Sequence, residues 1–274
     1  MIVNGRALAK KIEHDLIVRT RALEYPPRLT VIVVGENPVS ERFIRMKSEF
    51  AARIGVNAVI VRLPESVGTE GVVAEIKKQS PLSDGIIVQL PLPLLCDTEA
   101  ILSAIPKGKD VDSLLPAGRQ VLPPLVLSPV VGAVKRILSE GRISLKGKRV
   151  LIIGRGRLVG MPLSEWLSGN GTTVDIIGDE VEDITLYTRI ADIIISGTGE
   201  PHLIKPHMIK EGVVLIDCGT SEAGGRTLGD ADPACADKCS LFTPVPGGVG
   251  PVTVAILFEN LFTLIDLEKE SPVR

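Results

Sequence analysis

Seven short apolar runs mark the chain, and none of them alternates between apolar and polar positions. They are LTVIVVG from Leu29, NAVIVRL from Asn57, DGIIVQL from Asp84, RVLIIG from Arg149, TTVDIIG from Thr172, ADIIIS from Ala191 and VVLIDCG from Val213. Continuous apolar runs of this length are typical of parallel strands that are covered on both faces. Segments of helical character lie between them, and SERFIRMKSEFAARIG predicts a helix that begins at a capping Ser40 and ends near Gly55. The alternation predicts an α/β fold.

A stretch dense in proline and glycine, residues 106–129, interrupts this alternation. Such stretches are typical of the segments that join domains. We therefore predict two domains, the first over residues 1–118 and the second over residues 119–250. The remaining segment, residues 251–274, is apolar and helical in pattern, and it could return to the first domain.

The composition of the 274 residues is close to that of ordinary globular domains, with 45% hydrophobic and 23% charged residues. The net charge of −2 provides no basic face for nucleic acid or an anionic membrane, so we expect neither as a partner. The N-terminus is polar within a few residues, and no uninterrupted apolar run reaches the roughly 18 residues that span a bilayer. We expect a soluble, cytoplasmic protein.

Four scattered cysteines favour a reducing compartment over a disulfide scaffold. The only close pair, Cys235 and Cys239, has no second pair or nearby histidine that would complete a zinc site. We therefore predict no metal.

The run RVLIIGRGRLVGMPLSEWL predicts a strand, a glycine-rich turn and a helix. Its glycines, Gly154, Gly156 and Gly160, form GxGxxxG, one residue longer than the usual dinucleotide motif. Glycine lets the backbone approach a pyrophosphate, and the following helix N-terminus supplies N–H groups and a partial positive charge. The alternative is a tight turn with no ligand.

The choice between NAD and NADP depends on Asp179, which follows the next strand about 25 residues after the first glycine. A carboxylate there can accept a hydrogen bond from the ribose 2′-hydroxyl and would repel a 2′-phosphate, which favours NAD. Arg155 and Arg157 in the turn act in the opposite direction, because either could pair with a phosphate. Asp179 could equally be a solvated loop acid, with Glu180 and Glu182 as rivals for its role.

A lysine lies within an apolar stripe on the predicted helix after Ser40. Phe43, Lys47, Phe50 and Ile54 occupy one helical face. Lys47 could snorkel, with its stem on the core and its ammonium in water, and this segment alone favours that interpretation. The alternative is a catalytic lysine whose pKa is lowered by partial burial.

Three further segments carry candidate site residues. Gln89 ends a buried strand, where open α/β sheets bind ligands, and it needs a hydrogen-bond partner that the neighbouring loop backbone could supply. Asp110 and Asp112 lie on the junction loop, where acids are usually solvated. TPVPGGVGPVT, from Thr243, has little side-chain chemistry and could form either a domain-crossing turn or a backbone wall against a flat ligand.

Together these segments resemble the methylenetetrahydrofolate dehydrogenase/cyclohydrolase family over nearly the whole chain. The resemblance is carried, in order, by VGENPVSERFIRMK, DGIIVQLPLP, KDVDS, LKGKRVLIIGRGRLVGMP, the GD of LGDAD and TPVPGGVGPVT. It implies a parallel-sheet catalytic domain, completed by the C-terminal helix 251–274, and a Rossmann-type domain across a cleft. It also implies a homodimer.

The resemblance implies that 5,10-methylenetetrahydrofolate is oxidised by NAD(P) to 5,10-methenyltetrahydrofolate, which water converts to 10-formyltetrahydrofolate. The family usually uses NADP, whereas Asp179 favours NAD in this chain. The implied catalytic residues are Lys47, Gln89 and Asp112. The implied substrate-binding residues are Phe43, Lys47, Val88, Gln89, Leu90, Asp112, Pro246, Gly247, Gly248, Val249 and Gly250. The cofactor-binding residues are Gly154, Arg155, Gly156, Arg157, Asp179 and Thr220.

Four departures from the family pattern bear on this assignment. Phe43 replaces the usual tyrosine and so lacks a hydroxyl that could hold a proton, which questions the cyclohydrolase step more than the hydride step. Ser113 replaces a glycine, Gly156 replaces a serine, and Gly178 with Asp179 replaces a His-Ser pair. The alternatives are a monofunctional NAD-linked dehydrogenase, another Rossmann oxidoreductase such as a shikimate dehydrogenase, and a non-catalytic folate or nucleotide binder.

Overall fold

The computed structural model describes residues 1–114, 126–169 and 171–270, which form two compact units. We call Lys10–Pro129 with Val254–Arg274 the three-stranded unit, and Met1–Ala9 with Val130–Thr253 the five-stranded unit. The boundary expected at residues 118 and 119 lies outside the described residues. The sequence placed the first nine residues in the first domain; in the structure they group with the five-stranded unit, where Val3 donates its backbone N–H to the Phe242 carbonyl at 2.8 Å.

The three-stranded unit is built from alternating strands and helices, as the hydrophobic pattern predicts. Before the junction the elements are α1 (Gly5–Arg21), β1 (Arg28–Val34), α2 (Pro38–Ile54), β2 (Asn57–Leu63), α3 (Gly68–Gln79), β3 (Gly85–Val88) and α4 (Thr98–Ser103), with short 3₁₀ turns at Glu65–Val67, Ser80–Leu82 and Lys107–Lys109. The strands are parallel in the order β2-β1-β3. The chain thus reverses direction across the sheet between β1 and β3, and ligands of open α/β sheets bind beyond the carboxyl ends of strands at such a point.

Two local predictions in this unit need correction. The helix α2 begins at Pro38 rather than at Ser40, because the Asn37 side chain is its cap and accepts the Ser40 N–H at 3.1 Å. The strand β2 is half-exposed rather than covered on both faces.

The five-stranded unit also alternates strands and helices, around a larger parallel sheet. Its elements are α5 (Pro129–Glu140), β4 (Arg149–Ile153), α6 (Gly160–Ser168), β5 (Thr173–Ile177), α7 (Thr185–Thr188), β6 (Ile193–Ser196), β7 (Val214–Asp217), β8 (Ser221–Ala223), β9 (Arg226–Leu228) and β10 (Leu241–Phe242), with 3₁₀ turns at Pro206–Met208 and Pro233–Asp237. The main sheet is parallel in the order β10-β7-β6-β4-β5, and β8 and β9 form a separate antiparallel hairpin. Here the reversal falls between β4 and β6. The predicted α/β class with parallel sheets is confirmed.

The last helix, α8 (Val249–Glu270), packs within the core of the three-stranded unit from residue 254 onward. Phe258 is fully buried and stacks on Phe50, with ring centroids 5.1 Å apart. Leu261 lies against Gly85 so closely that a side chain on that glycine would collide with it. By length and composition alone α8 could cross a membrane, but 67% of its most apolar window is buried, as in a core helix.

Candidate active site

Lys47 lies on α2 with 8% of its surface exposed, and its ammonium nitrogen donates a hydrogen bond to Gln89 Oε1 at 3.0 Å. The snorkelling interpretation is therefore wrong, since a snorkelling lysine keeps its ammonium in water. Burial lowers the pKa of Lys47, because the charged form loses hydration, while the negative charge of Asp112 acts in the opposite direction. The result is an amine more easily deprotonated than an exposed lysine.

Gln89 follows β3 at the point where the sheet reverses, and it is held at both ends of its amide. Its backbone N–H donates to the Ile32 carbonyl at 2.9 Å, and its Nε2 donates to the Leu90 carbonyl at 2.8 Å. Because Nε2 is occupied by a carbonyl, Oε1 must face Lys47. The loop backbone that the sequence analysis suggested is thus one hydrogen-bond partner of Gln89, and Lys47 is the other. Val88 before it is buried, and Leu90 is half-buried.

Asp110 is buried and Asp112 is half-buried, so neither junction acid is fully solvated as its loop position suggests. Asp110 is buried, and burial together with the nearby Asp112 raises its pKa to about 6, although it accepts the Ser113 N–H at 3.0 Å. Burial also raises the pKa of Asp112, and the charge of Lys47 opposes that shift. Lys47, Gln89 and Asp112 therefore form one electrostatically coupled cluster at the end of the parallel sheet.

The apolar stripe on α2 contributes to both the core and the site. Phe50 and Ile54 are buried, as predicted, whereas Phe43 is only half-buried. Phe43 precedes Lys47 by one helical turn on the same face, so its ring lies on the side of the helix that carries the ammonium. Its exposed part is available to a ligand.

The loop that carries Asp110 and Asp112, here called the acid loop, explains one departure from the family pattern. It also reveals a residue that the sequence analysis missed. Ser113 has a φ of 48°, in the left-handed region that favours glycine, which accounts for the glycine usual at this position. Asn260 on α8 is buried and donates to the carbonyls of Val111 and Leu127 at 2.9 and 2.8 Å. It thereby ties the loop to the core helix, and a lone amide within an apolar helix was the available signal.

In the five-stranded unit, the glycine turn lies between β4 and α6, where the sheet reverses. Gly154 has a φ of 100°, and a Cβ there would approach the Gly197 carbonyl to 2.8 Å. A Cβ on Gly160 would collide with the Gly154 carbonyl, so helix and turn pack as closely as glycine permits. A Cβ on Gly156 would meet nothing within 4 Å. The turn thus leaves open space beside the helix N-terminus, as a pyrophosphate requires.

Charged side chains surround the turn on the side of β5. Arg155 is exposed and donates to the Ile176 carbonyl at 3.0 Å and to Glu180 at 2.8 Å. Arg157 is half-buried and Asp179 is exposed. The sequence considered Glu180 only as a rival of Asp179, yet it is Glu180 that pairs with the arginine.

Two buried acids, Asp217 and Asp230, lie near the ends of β6 and β7, and the sequence analysis gave neither of them a role. Asp230 accepts the Ser196 hydroxyl at 2.6 Å and the backbone N–H groups of Thr198 and Gly199 at 2.7 and 2.9 Å. Asp217 accepts the N–H groups of Gly219 and Ala231 at 2.9 and 2.8 Å. Their signal was the GD pair of LGDAD and an aspartate ending a buried strand. The pair shapes the loops at the reversal of the sheet.

Two remaining predicted segments also lie in this unit. Thr220 is half-buried, and its carbonyl is 3.8 Å from the position that a Cβ on Gly199 would take. In the segment Pro246 to Gly250, Gly247 has a φ of 105° and Gly248 donates its N–H to the Pro244 carbonyl at 2.7 Å. Within the same unit the backbone is so close to the first residues of the chain that a side chain on Gly5 would collide with the Gly248 carbonyl.

Metal chemistry has no evident location among residues 1–114, 126–169 and 171–270, where no group of three or more potential ligand side chains converges. Cys235 and Cys239 are free thiols, and burial raises their pKa to about 12 and about 11, so they remain protonated.

Comparison with protein families accounts for this arrangement. The model described as tetrahydrofolate dehydrogenase/cyclohydrolase, catalytic domain, matches residues 3–112, and the model for the NAD(P)-binding domain of the same proteins matches residues 129–269. The chain belongs to the tetrahydrofolate dehydrogenase/cyclohydrolase family. Most of the five-stranded unit falls in the NAD(P)-binding domain, so the predicted cofactor class, NAD(P), is confirmed.

Individual relatives agree over almost the full length. The bifunctional protein FolD of Hydrogenobaculum sp. (strain Y04AAS1) is 38% identical over 270 residues, which cover 94% of this chain and 96% of the relative. The crystal structure of the FolD methylenetetrahydrofolate dehydrogenase/cyclohydrolase from Campylobacter jejuni has a TM-score of 0.92 at 33% identity, covering 98% of this chain and 99% of that one. The Trypanosoma brucei FolD, complexed with NADP cofactor and inhibitor, has the same TM-score and identity, covering 99% of both chains. These relatives support the bifunctional enzyme over the alternatives.

Proposed function

We propose that this chain oxidises 5,10-methylenetetrahydrofolate with NAD(P) and then hydrolyses the methenyl product to 10-formyltetrahydrofolate. The observation that carries the proposal is the buried hydrogen bond from Lys47 to Gln89, beside Asp112, in a chain of this family. A lysine with a lowered pKa, held at the reversal point of a parallel sheet, is suited to moving protons on a bound ligand.

The residues of the glycine turn fit an NAD(P) pyrophosphate. Gly154 and Gly156 would let it approach the backbone, Arg157 supplies positive charge, Arg155 lies toward the end of β5, and the Thr220 backbone borders the same edge of the sheet. When bound, the nicotinamide supplies a hydride acceptor for the methylene carbon of the folate. The protein's task in that step is orientation, because the product cation needs no acid catalyst.

Lys47 serves the hydrolytic step. Water adds its oxygen to the methenyl carbon and loses a proton, and the opening ring nitrogen takes one up as its bond to that carbon breaks. A neutral Lys47 amine can accept the first proton and return it to the nitrogen. Gln89 orients the amine through Oε1, and Asp112 holds the polar edge of the pterin. Phe43 presents a ring face, together with the backbone of Val88 and Leu90.

The test separates the two reactions with a substitution that removes the Lys47 amine. Lys47→Met should lower methenyltetrahydrofolate hydrolysis by about 100-fold or more, as expected for loss of an acid–base group, while NAD(P) reduction falls far less. The matched control is Lys78→Met, since Lys78 lies on the surface of the same unit with 69% of its side chain exposed. Hydrolysis by the unmodified protein at the buffer rate, or an unchanged rate in Lys47→Met, would refute the assignment.

We further propose that NAD is preferred, since Asp179 is exposed at the end of β5 where a ribose hydroxyl is expected. Initial rates with NAD and NADP at equal concentration test this. An NADP preference above about tenfold, which is about 1.4 kcal/mol, would overturn it.

We also propose that the enzyme is a cytoplasmic homodimer. The four cysteines are free thiols, which supports a reducing compartment, and the homodimer follows from the family resemblance. Light scattering after size exclusion should report twice the chain mass of 29.2 kDa. A mass equal to that of one chain at micromolar concentration would contradict the dimer.

A further inference from the structure

The neighbour of Asp179, rather than Asp179 itself, controls the arginine of the glycine turn. The guanidinium of Arg155 contacts the Glu180 carboxylate at 2.8 Å and the Ile176 carbonyl at 3.0 Å. Glu180 also accepts the backbone N–H of Gly178 at 3.1 Å. Both partners of the ion pair are thus anchored to the backbone at the end of β5.

Gly178 leaves room for this arrangement. A Cβ at that position would stand 2.7 Å from the Glu180 carboxylate and 3.3 Å from the Arg155 side chain. The side chains of Glu180 and Arg155 therefore both pass close to the backbone of Gly178, which carries no side chain. Arg155 is directed along the end of β5, beside the place where the adenine ribose of a dinucleotide is expected.

An arginine in that place is the natural partner of a 2′-phosphate, because its planar guanidinium can form two parallel hydrogen bonds with phosphate oxygens. Here Nη2 of that guanidinium already donates to a carboxylate and to a carbonyl. The carboxylate stays ionised, because hydrogen bonds from the backbone N–H groups of Glu180 and Gly178, with Arg155, lower the pKa of Glu180. A 2′-phosphate would have to displace the Glu180 carboxylate from Arg155, and it would then lie close to that negative charge.

Asp179 has a separate role. It is exposed, and within the described part of the chain its side chain makes no hydrogen bond or ion pair. It is therefore available to accept the ribose hydroxyls of NAD.

We propose that Glu180 is a specificity-determining residue that rejects NADP by holding Arg155, whereas Asp179 contributes to the binding of NAD. The proposal rests on the proposed NAD(P)-dependent function. Glu180 would thus discriminate against NADP by occupying the arginine that its 2′-phosphate needs.

The experiment measures equilibrium binding of adenosine 2′,5′-bisphosphate and of 5′-AMP by calorimetry, so that no catalytic step is involved. Glu180→Gln keeps the shape and removes the charge. It should tighten binding of the 2′-phosphorylated nucleotide about tenfold and change 5′-AMP binding less than threefold, with a parallel shift in the kcat/KM ratio of NADP to NAD. Asp179→Asn should instead weaken 5′-AMP binding.

Two further variants decide the mechanism. The exposed Glu182 supplies the matched control, and Glu182→Gln should leave both affinities within threefold of the unmodified protein. In an Arg155→Ala background the effect of Glu180→Gln should vanish, because no arginine remains to be released. An unchanged bisphosphate affinity in Glu180→Gln, or an equal gain without Arg155, would overturn the proposal. Failure of the unmodified protein to bind either nucleotide would instead refute the proposed cofactor site.

Discussion

The buried acid Asp217 should make the stability of the five-stranded unit depend on pH in an unusual direction. It is 1% exposed, and burial, with Asp230 nearby, raises its pKa from 3.8 to about 7 despite two hydrogen bonds from the backbone. Between these two pH values the folded protein holds a proton that the unfolded chain has lost. Stability therefore falls as the pH rises from about 4 to about 7.

The size of the effect follows from the two pKa values. One pKa unit corresponds to about 1.4 kcal/mol, so between pH 5 and pH 8 ionisation of Asp217 should remove about 2 to 3 kcal/mol of unfolding free energy. Asp217→Asn cannot ionise and should lack that loss. The free-energy difference between the unmodified protein and the variant should therefore shrink by this amount as the pH rises.

Trp166 is the only tryptophan of the chain and lies on α6, so its fluorescence reports unfolding of the five-stranded unit. Urea denaturation at pH 5, 6, 7 and 8 gives the required free energies. Asp237→Asn, at an exposed position of the same unit, is the control and should keep the pH dependence of the unmodified protein. Equal pH dependence in Asp217→Asn and the unmodified protein would refute the reasoning.

Three further predictions concern the three-stranded unit. Phe43→Tyr should raise the rate of methenyltetrahydrofolate hydrolysis several-fold and leave NAD(P) reduction unchanged, because it adds a hydroxyl one turn from Lys47; equal rates would show that this hydroxyl has no part in the step. Phe258→Ala should lower the unfolding free energy by about 3–5 kcal/mol, measured by circular dichroism in urea, since it empties a fully buried site, and a loss below about 1 kcal/mol would contradict that packing. Asn260→Ala should cost about 1–3 kcal/mol and speed amide exchange in the acid loop at Val111, whereas unchanged exchange would mean that the amide does not hold the loop.

The strands were predictable because burial on both faces of a parallel sheet requires continuous apolar runs. All seven runs are strands of the two parallel sheets. The same rule failed at β2 and β5, which are only partly buried. Burial depends on what packs against each face of a strand, and the strand's own sequence does not reveal this. Strand order depends on pairings between distant segments, which local pattern does not encode.

The state of Lys47 could not be decided from its own helix. An apolar face around a lysine is compatible with a snorkelling side chain and with a buried amine, and the difference lies in Gln89, which is 42 residues away on another element. Only the family resemblance connected the two residues. The protonation behaviour then follows from burial and from Asp112, neither of which has a local sequence pattern.

The acids around the cofactor turn show the same limit more sharply. Asp179 and Glu180 are adjacent carboxylates and both are exposed, so composition and spacing do not distinguish them. In the structure only Glu180 pairs with Arg155, and it does so beside the bare backbone of Gly178. The proposed selection between NAD and NADP therefore depends on a side-chain contact that residue order does not reveal, because that contact determines whether the arginine is offered to a phosphate or already bound to a carboxylate.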